Sequence, residues 1–97
     1  MTFPDETTLR GAATGLAIQG LAFIAEDSDR LGRFLALSGF GPAELRARAS
    51  DPEFHGGVLD FLLSDEALVV EFAKWADVDP ASISMIRQKL PGGTVEQ

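Results

Sequence analysis

The sequence predicts an all-α fold, a compact bundle of five to six short helices in a single domain, and three observations point to it. Prolines flanked by acids recur at the starts of apolar-periodic segments, as in Pro4-Asp5-Glu6, Asp51-Pro52-Glu53 and Asp79-Pro80. Valine, isoleucine and threonine nowhere alternate with polar residues over a useful length, so no sheet is expected. The connections left between segments are two to four residues long, which makes successive helices antiparallel neighbours.

The elements follow in order. Pro4, Asp5 and Glu6 open a first helix that runs to Ala25. Asp27 or Ser28 caps a second, with Leu31, Phe34 and Leu35 on one face and Gly39 as its left-handed stop. Pro42 begins a third, with Glu44 favourable to the helix dipole and an end near Ala49. Asp51 caps a fourth that carries Phe54, Val58, Phe61 and Leu62 inward. Ser64 or Asp65 caps a fifth, with Leu68, Phe72, Trp75 and Ala76 inward and Trp75 expected as a core anchor, partial exposure at an interface being the alternative. Asp79-Pro80 starts the last, with Ile83, Ile86 and Leu90 inward, and Pro91-Gly92-Gly93 ends it. The folded part is expected over 4–91, with 92–97 as a flexible polar tail.

Ninety-seven residues, 45% of them hydrophobic, are enough for one core. The chain has no cysteine, which excludes disulfides, thiol catalysis and cysteine-ligated metal centres and fits a reducing cytoplasm. The first residues lack a basic run and carry Asp5 and Glu6, so no secretory signal is expected. The longest uncharged run, Gly11 to Ala25, is fifteen residues and too short to span a bilayer. A soluble cytoplasmic protein is the expectation. The formal charge of −7 is uneven: residues 51–79 hold eight acids and one lysine, whereas 26–50 hold four acids and four arginines. A polyanion such as nucleic acid is therefore a disfavoured partner.

Shifted by 38 residues, the chain partly matches itself. Residues 20–45 align without gaps to 58–83 with six identities: Leu21/Leu59, Phe23/Phe61, Asp27/Asp65, Phe34/Phe72, Pro42/Pro80 and Ala43/Ala81. Two helical hairpins share apolar spacing and proline starts in any case, so duplication and coincidence both remain open. Either way the matched positions are core residues and caps, and the two units should pack on each other.

Each candidate for chemistry has a plainer explanation beside it. Asp27, Asp29 and Gly32 fall on positions one, three and six of a calcium loop, but Leu31 and Ser38 stand where oxygen ligands are needed, and Arg30 and Arg33 oppose a cation. These acids are expected to cap helices. Residues 28–38 followed by 42–49 have the outline of a helix-turn-helix with Arg46 and Arg48 on the second helix, yet the basic footprint is missing. The arginines are expected to be solvated or paired with Glu26, Glu44 or the acidic half. His55 is the sole histidine, with no cysteine or second histidine to complete a metal site, and is expected at the surface or half-buried. Ser50 or Ser64 with His55 lacks the strained elbow and oxyanion loop of a hydrolase. The adjacent acids Asp65 and Glu66 sit at a helix start, where acids are ordinary. No catalytic, cofactor-binding or metal-ligating residue is assigned, and no enzyme is expected. Gly11, Gly15 and Gly20, with Ala12, Ala13 and Ala17, give the first helix a small-residue surface suited to close helix packing, within the chain or between subunits.

The stretch LAFIAEDSDRLGRFLALSGFGPAELRARASDPEFHGGVLDFLLSDEALVVEFA closely resembles a family of short alphaproteobacterial proteins grouped as a domain of unknown function. The similarity covers about Gln19 to Pro91 and rests on LAFIAED, LGRFLALSG, the ELRARA segment before Asp51-Pro52, VLDFLLSDEAL and the final Asp79-Pro80 helix ending in Leu90-Pro91-Gly92. The resemblance implies an all-helical cytoplasmic protein and carries over no activity, cofactor or partner. This chain departs from it at Gly15 and Gly20, where alanine-like residues are expected.

The functional expectation is a non-enzymatic module that binds a protein partner or forms a homodimer, motivated by the acidic 51–79 segment and the small-residue first helix. A helix-turn-helix DNA-binding regulator is the alternative from another class. A binder of a small apolar ligand, with its pocket between the two units near Trp75, is the third.

Overall fold

The structure, a computed structural model, describes residues 6–90. The helix start at Pro4-Asp5, the stop at Pro91-Gly92-Gly93 and the tail at 92–97 lie outside the described residues. Six helices and no strand are present among the described residues: α1 (Glu6–Ala25), α2 (Ser28–Ser38), α3 (Pro42–Arg48), α4 (Pro52–Leu63), α5 (Glu66–Ala76) and α6 (Pro80–Arg87). Two- and three-residue connections join them, as the punctuation predicts.

The acids do begin helices. Asp27, Asp51, Asp65 and Asp79 each stand at an N-cap in extended backbone, and each Oδ1 accepts from the amide two residues on, at 2.8, 3.0, 2.9 and 3.0 Å. Each bond satisfies an amide that has no partner inside the helix. At α3 the cap is Gly41, which has no side chain, and the Glu44 carboxylate reaches back to the Gly41 amide at 3.1 Å. Asp65→Ala is expected to lower stability by about 1 kcal/mol. Urea unfolding followed by circular dichroism checks it, and no change would mean that the α5 cap is idle.

Stops obey the same logic. Gly39 takes the left-handed conformation (φ 78°) and returns its amide to the Leu35 carbonyl at 2.9 Å. Thirty-eight residues later Asp77 does the same at φ 60°, a conformation that aspartate tolerates better than most residues. The α1 terminus is closed from outside. Arg30 of α2 donates from Nη2 to the Phe23 carbonyl at 2.7 Å, and its guanidinium lies 3.9 Å from the centre of the Phe23 ring.

α1 and α4 make the most extensive helix contact. On α1, Ala13, Leu16, Ala17, Gly20, Phe23 and Ile24 form the buried stripe. α4 is the central helix, touching α1, α5 and α6 and burying Phe54, Val58, Leu59, Phe61 and Leu62. At the crossing a Cβ on Gly20 would lie 2.8 Å from Leu62 Cδ1 and 3.1 Å from Val58 Cγ1, so glycine sets the α1–α4 distance here. The small-residue surface therefore divides: Ala13, Ala17 and Gly20 are buried, Gly20 against α4, while Gly11, Ala12 and Gly15 are exposed.

The 38-residue shift superposes the helix boundaries: α1 and α4 end at 25 and 63, α2 and α5 span 28–38 and 66–76, and α3 and α6 begin at 42 and 80. Contacts repeat reciprocally as well. Phe23 meets Phe72 at 5.5 Å between ring centres, and the matching pair Phe61 and Phe34 meets at 5.4 Å. Gly20 touches Val58, its own counterpart. When residue i meets the counterpart of j, and j meets the counterpart of i, the local relation is two-fold.

Two sequence expectations are corrected. Trp75 is not a core anchor: it is 42% exposed, with one side against Phe23 (5.6 Å) and Phe72 (6.2 Å). Phe72 and Ala73 already close the core at that level, so the bulky indole is left at its margin. His55 is neither exposed nor half-buried but 4% exposed, because it stands one turn before Val58 and Leu59 on the inward stripe of α4. Its Nε2 lies 2.6 Å from the Ala49 carbonyl and ties the end of α3 to α4.

Candidate interaction groove

The two units differ in how their third helices sit. α6 buries Ile83, the residues after it bury Leu90, and the helix packs against α1, α4 and α5. α3, PAELRAR, offers Leu45 alone among large apolar residues and makes none of the extensive helix contacts. A groove of about 500 Å³ lies between α2, the turn that leads to α3, and α4.

Aromatic rings build it. Phe34, Phe54 and Phe61 form the floor, with Phe34 edge-on to both others at 5.9 and 5.4 Å, and Phe40 continues the wall 5.8 Å from Phe54. Leu37 borders the groove at 75% exposure. Ser38 and Ser64 also line it, but each hydroxyl donates to a helix carbonyl, Leu35 and Phe61 respectively, and is spent on the backbone. On the α4 rim stand Glu53 and Asp60 with Gly57 between them, and Arg48 stands opposite. The sequence places a ligand pocket near Trp75, whereas this groove lies beside Leu37, the residue that matches Trp75 under the 38-residue shift.

Asp60 is anchored from beneath. Arg87, 5% exposed, donates to both carboxylate oxygens, Nε to Oδ1 at 2.7 Å and Nη2 to Oδ2 at 2.9 Å, and from Nη1 to the Leu90 carbonyl at 3.2 Å. Its guanidinium lies so close to α4 that a Cβ on Gly56 would fall 2.8 Å from Cζ. The sequence reading missed this pair. The spacing held the signal: Arg87 follows Ile83 by four and precedes Leu90 by three, which puts it on the inward face.

Three other arginines lie over separate rings, Arg30 over Phe23, Arg33 over Phe61 at 5.7 Å and Arg48 over Phe40 at 5.4 Å. Arg30 also pairs with Asp27, and Arg48 with Asp51 at the start of the acidic segment, both at 3.7 Å, rather than with Glu26 or Glu44. Among the described residues Asp27 is occupied as a cap, no group of three or more histidines and acids is placed to hold a metal ion, and no helix is long and apolar enough to cross a membrane.

A family model described as "Protein of unknown function (DUF3572)" matches residues 10–93. No curated protein and no solved structure matches the chain.

Proposed function

The chain belongs to the DUF3572 family of proteins of unknown function, and we propose that it is a non-enzymatic protein-interaction module of the cytoplasm whose contact site is the groove between α2 and α4. The observation that carries this reading is the lining itself: three buried phenylalanines, a fourth in the wall and an exposed leucine at the border. Apolar surface that a fold holds open and rims with charge is typical of sites that take an anchoring side chain. The absence of cysteine fits the compartment. A second reading is favoured by the volume, since about 500 Å³ also suits a small apolar ligand.

A photoreactive benzoylphenylalanine at position 37, compared with one at Glu71 on the solvent side of α5, separates these readings in cells. A discrete protein adduct at 37 alone, lost when Gly57→Leu fills the groove from α4, is the expected result. An adduct at twice the chain mass identifies self-association, and one of small-molecule mass favours the ligand reading. Identical patterns at 37 and 71 overturn both.

A further inference from the structure

The internal match supplies a template for what the groove takes. Under the 38-residue shift, Leu37 corresponds to Trp75, and the groove floor of Phe34 and Phe61 corresponds to Phe72 and Phe23. The Trp75 indole lies against that pair of rings, at 6.2 and 5.6 Å. In the matching pair, Phe34 of the first unit and Phe61 of the second, the spacing is the same, 5.4 Å against 5.5 Å, and both rings are buried, but Leu37, where the other pair has Trp75, is 75% exposed at the border of the groove. The two-fold relation thus repeats one aromatic bed, a first copy beside the Trp75 indole and a second at the base of a groove bordered by Leu37.

Charge says what should accompany that cover. Glu53, Gly57 and Asp60 follow one another at four and three residues, so the two carboxylates border the groove along about 10 Å of α4. The facing cation, Arg48, is engaged with Asp51 and with the Phe40 ring, whereas Glu53 has no ion-pair partner among the described residues. The whole chain carries −7, which favours approach of a cationic partner.

We propose that the groove docks a basic segment of a partner protein, anchored by one tryptophan or phenylalanine laid on Phe34 and Phe61 and flanked by lysine or arginine against Glu53 and Asp60. The proposal rests on the groove being the interaction site and adds the chemistry of the occupant.

Panning a phage-displayed random peptide library on the full chain tests it, with selected peptides measured by isothermal titration against three variants. Leu37→Trp places an indole where the second unit has one, and Gly57→Leu fills the groove from the other side, where no atom lies within 4 Å of a new Cβ. Glu53→Lys reverses a rim charge. Selected peptides should carry an aromatic residue beside basic ones. Their affinity should fall about tenfold or more in Leu37→Trp and Gly57→Leu and about threefold in Glu53→Lys, with added salt weakening the wild-type complex. Thermal melts verify that the variants are folded, and two independent fillings keep the test decisive if one is not. Peptides lost on filling but without aromatic or basic character overturn this inference and leave the groove as an interaction site. Peptides indifferent to both fillings, or none selected, overturn both.

Discussion

Phe72→Ala is expected to lower the free energy of unfolding by about 3–5 kcal/mol. Phe72 is fully buried, packs on Phe23 at 5.5 Å and on Trp75 at 6.2 Å, and approaches the glycine at the α1–α4 crossing. The loss has two parts, the transfer of the ring out of the core and the void it leaves. That void cannot close by helix movement, because Gly20 already brings α1 and α4 to contact distance. For a domain of this size each kcal/mol shifts the melting temperature by about 4–8 °C, so a fall of roughly 15 °C or more should be visible in a circular dichroism melt. A loss below about 1 kcal/mol would show that this ring is not where α1, α4 and α5 meet. The counterpart Phe34→Ala removes the same atoms from the groove floor, where water enters the space created. Its cost should be smaller, which makes the pair a measure of how far the two units have diverged in packing.

Gly56→Ala and Gly57→Ala are expected to act with opposite signs, although they are neighbours in one helix. Alanine is favoured over glycine in a helix interior by about 1 kcal/mol, and at Gly57, where nothing lies within 4 Å, that gain should be realised. At Gly56 a methyl would sit 2.8 to 3.0 Å from three atoms of the Arg87 guanidinium, a rigid planar group already committed to Asp60 and the Leu90 carbonyl. Displacing it weakens charge-assisted bonds on a buried cation, and a net loss of about 2–4 kcal/mol follows. The exposure of the Asp60 carboxylate, more than half, keeps the figure below that of a fully buried pair. Chemical unfolding of both variants, and of Gly56→Ala combined with Arg87→Met, checks the cause. If the methionine background does not relieve the Gly56→Ala penalty, the clash with Arg87 is not its origin.

Much of the architecture is legible in the residues because its causes are local. An aspartate two residues before an amide, a proline that cannot donate, and a glycine that accepts positive φ act within four residues of themselves. The four aspartate caps and the Gly39 stop therefore stand where the sequence places them. His55, Trp75 and Arg87 were misread or overlooked because residue type and burial conflict at each. A polar side chain on an apolar stripe can be buried only if a partner meets it, and those partners, the Ala49 carbonyl and the Asp60 carboxylate, come from other helices.

By itself, then, the order of amino acids settled the all-α class, the aspartate caps and the short connections, since each follows from backbone hydrogen bonding over one helical turn. Only the tertiary structure decided that the two matching aromatic beds differ in their surroundings, one beside the Trp75 indole and one at the base of a groove bordered by Leu37. That difference depends on whether α3 or α6 has enough apolar surface to draw its unit shut against α4. Such a balance is struck between elements, and no window of local sequence contains both sides of it.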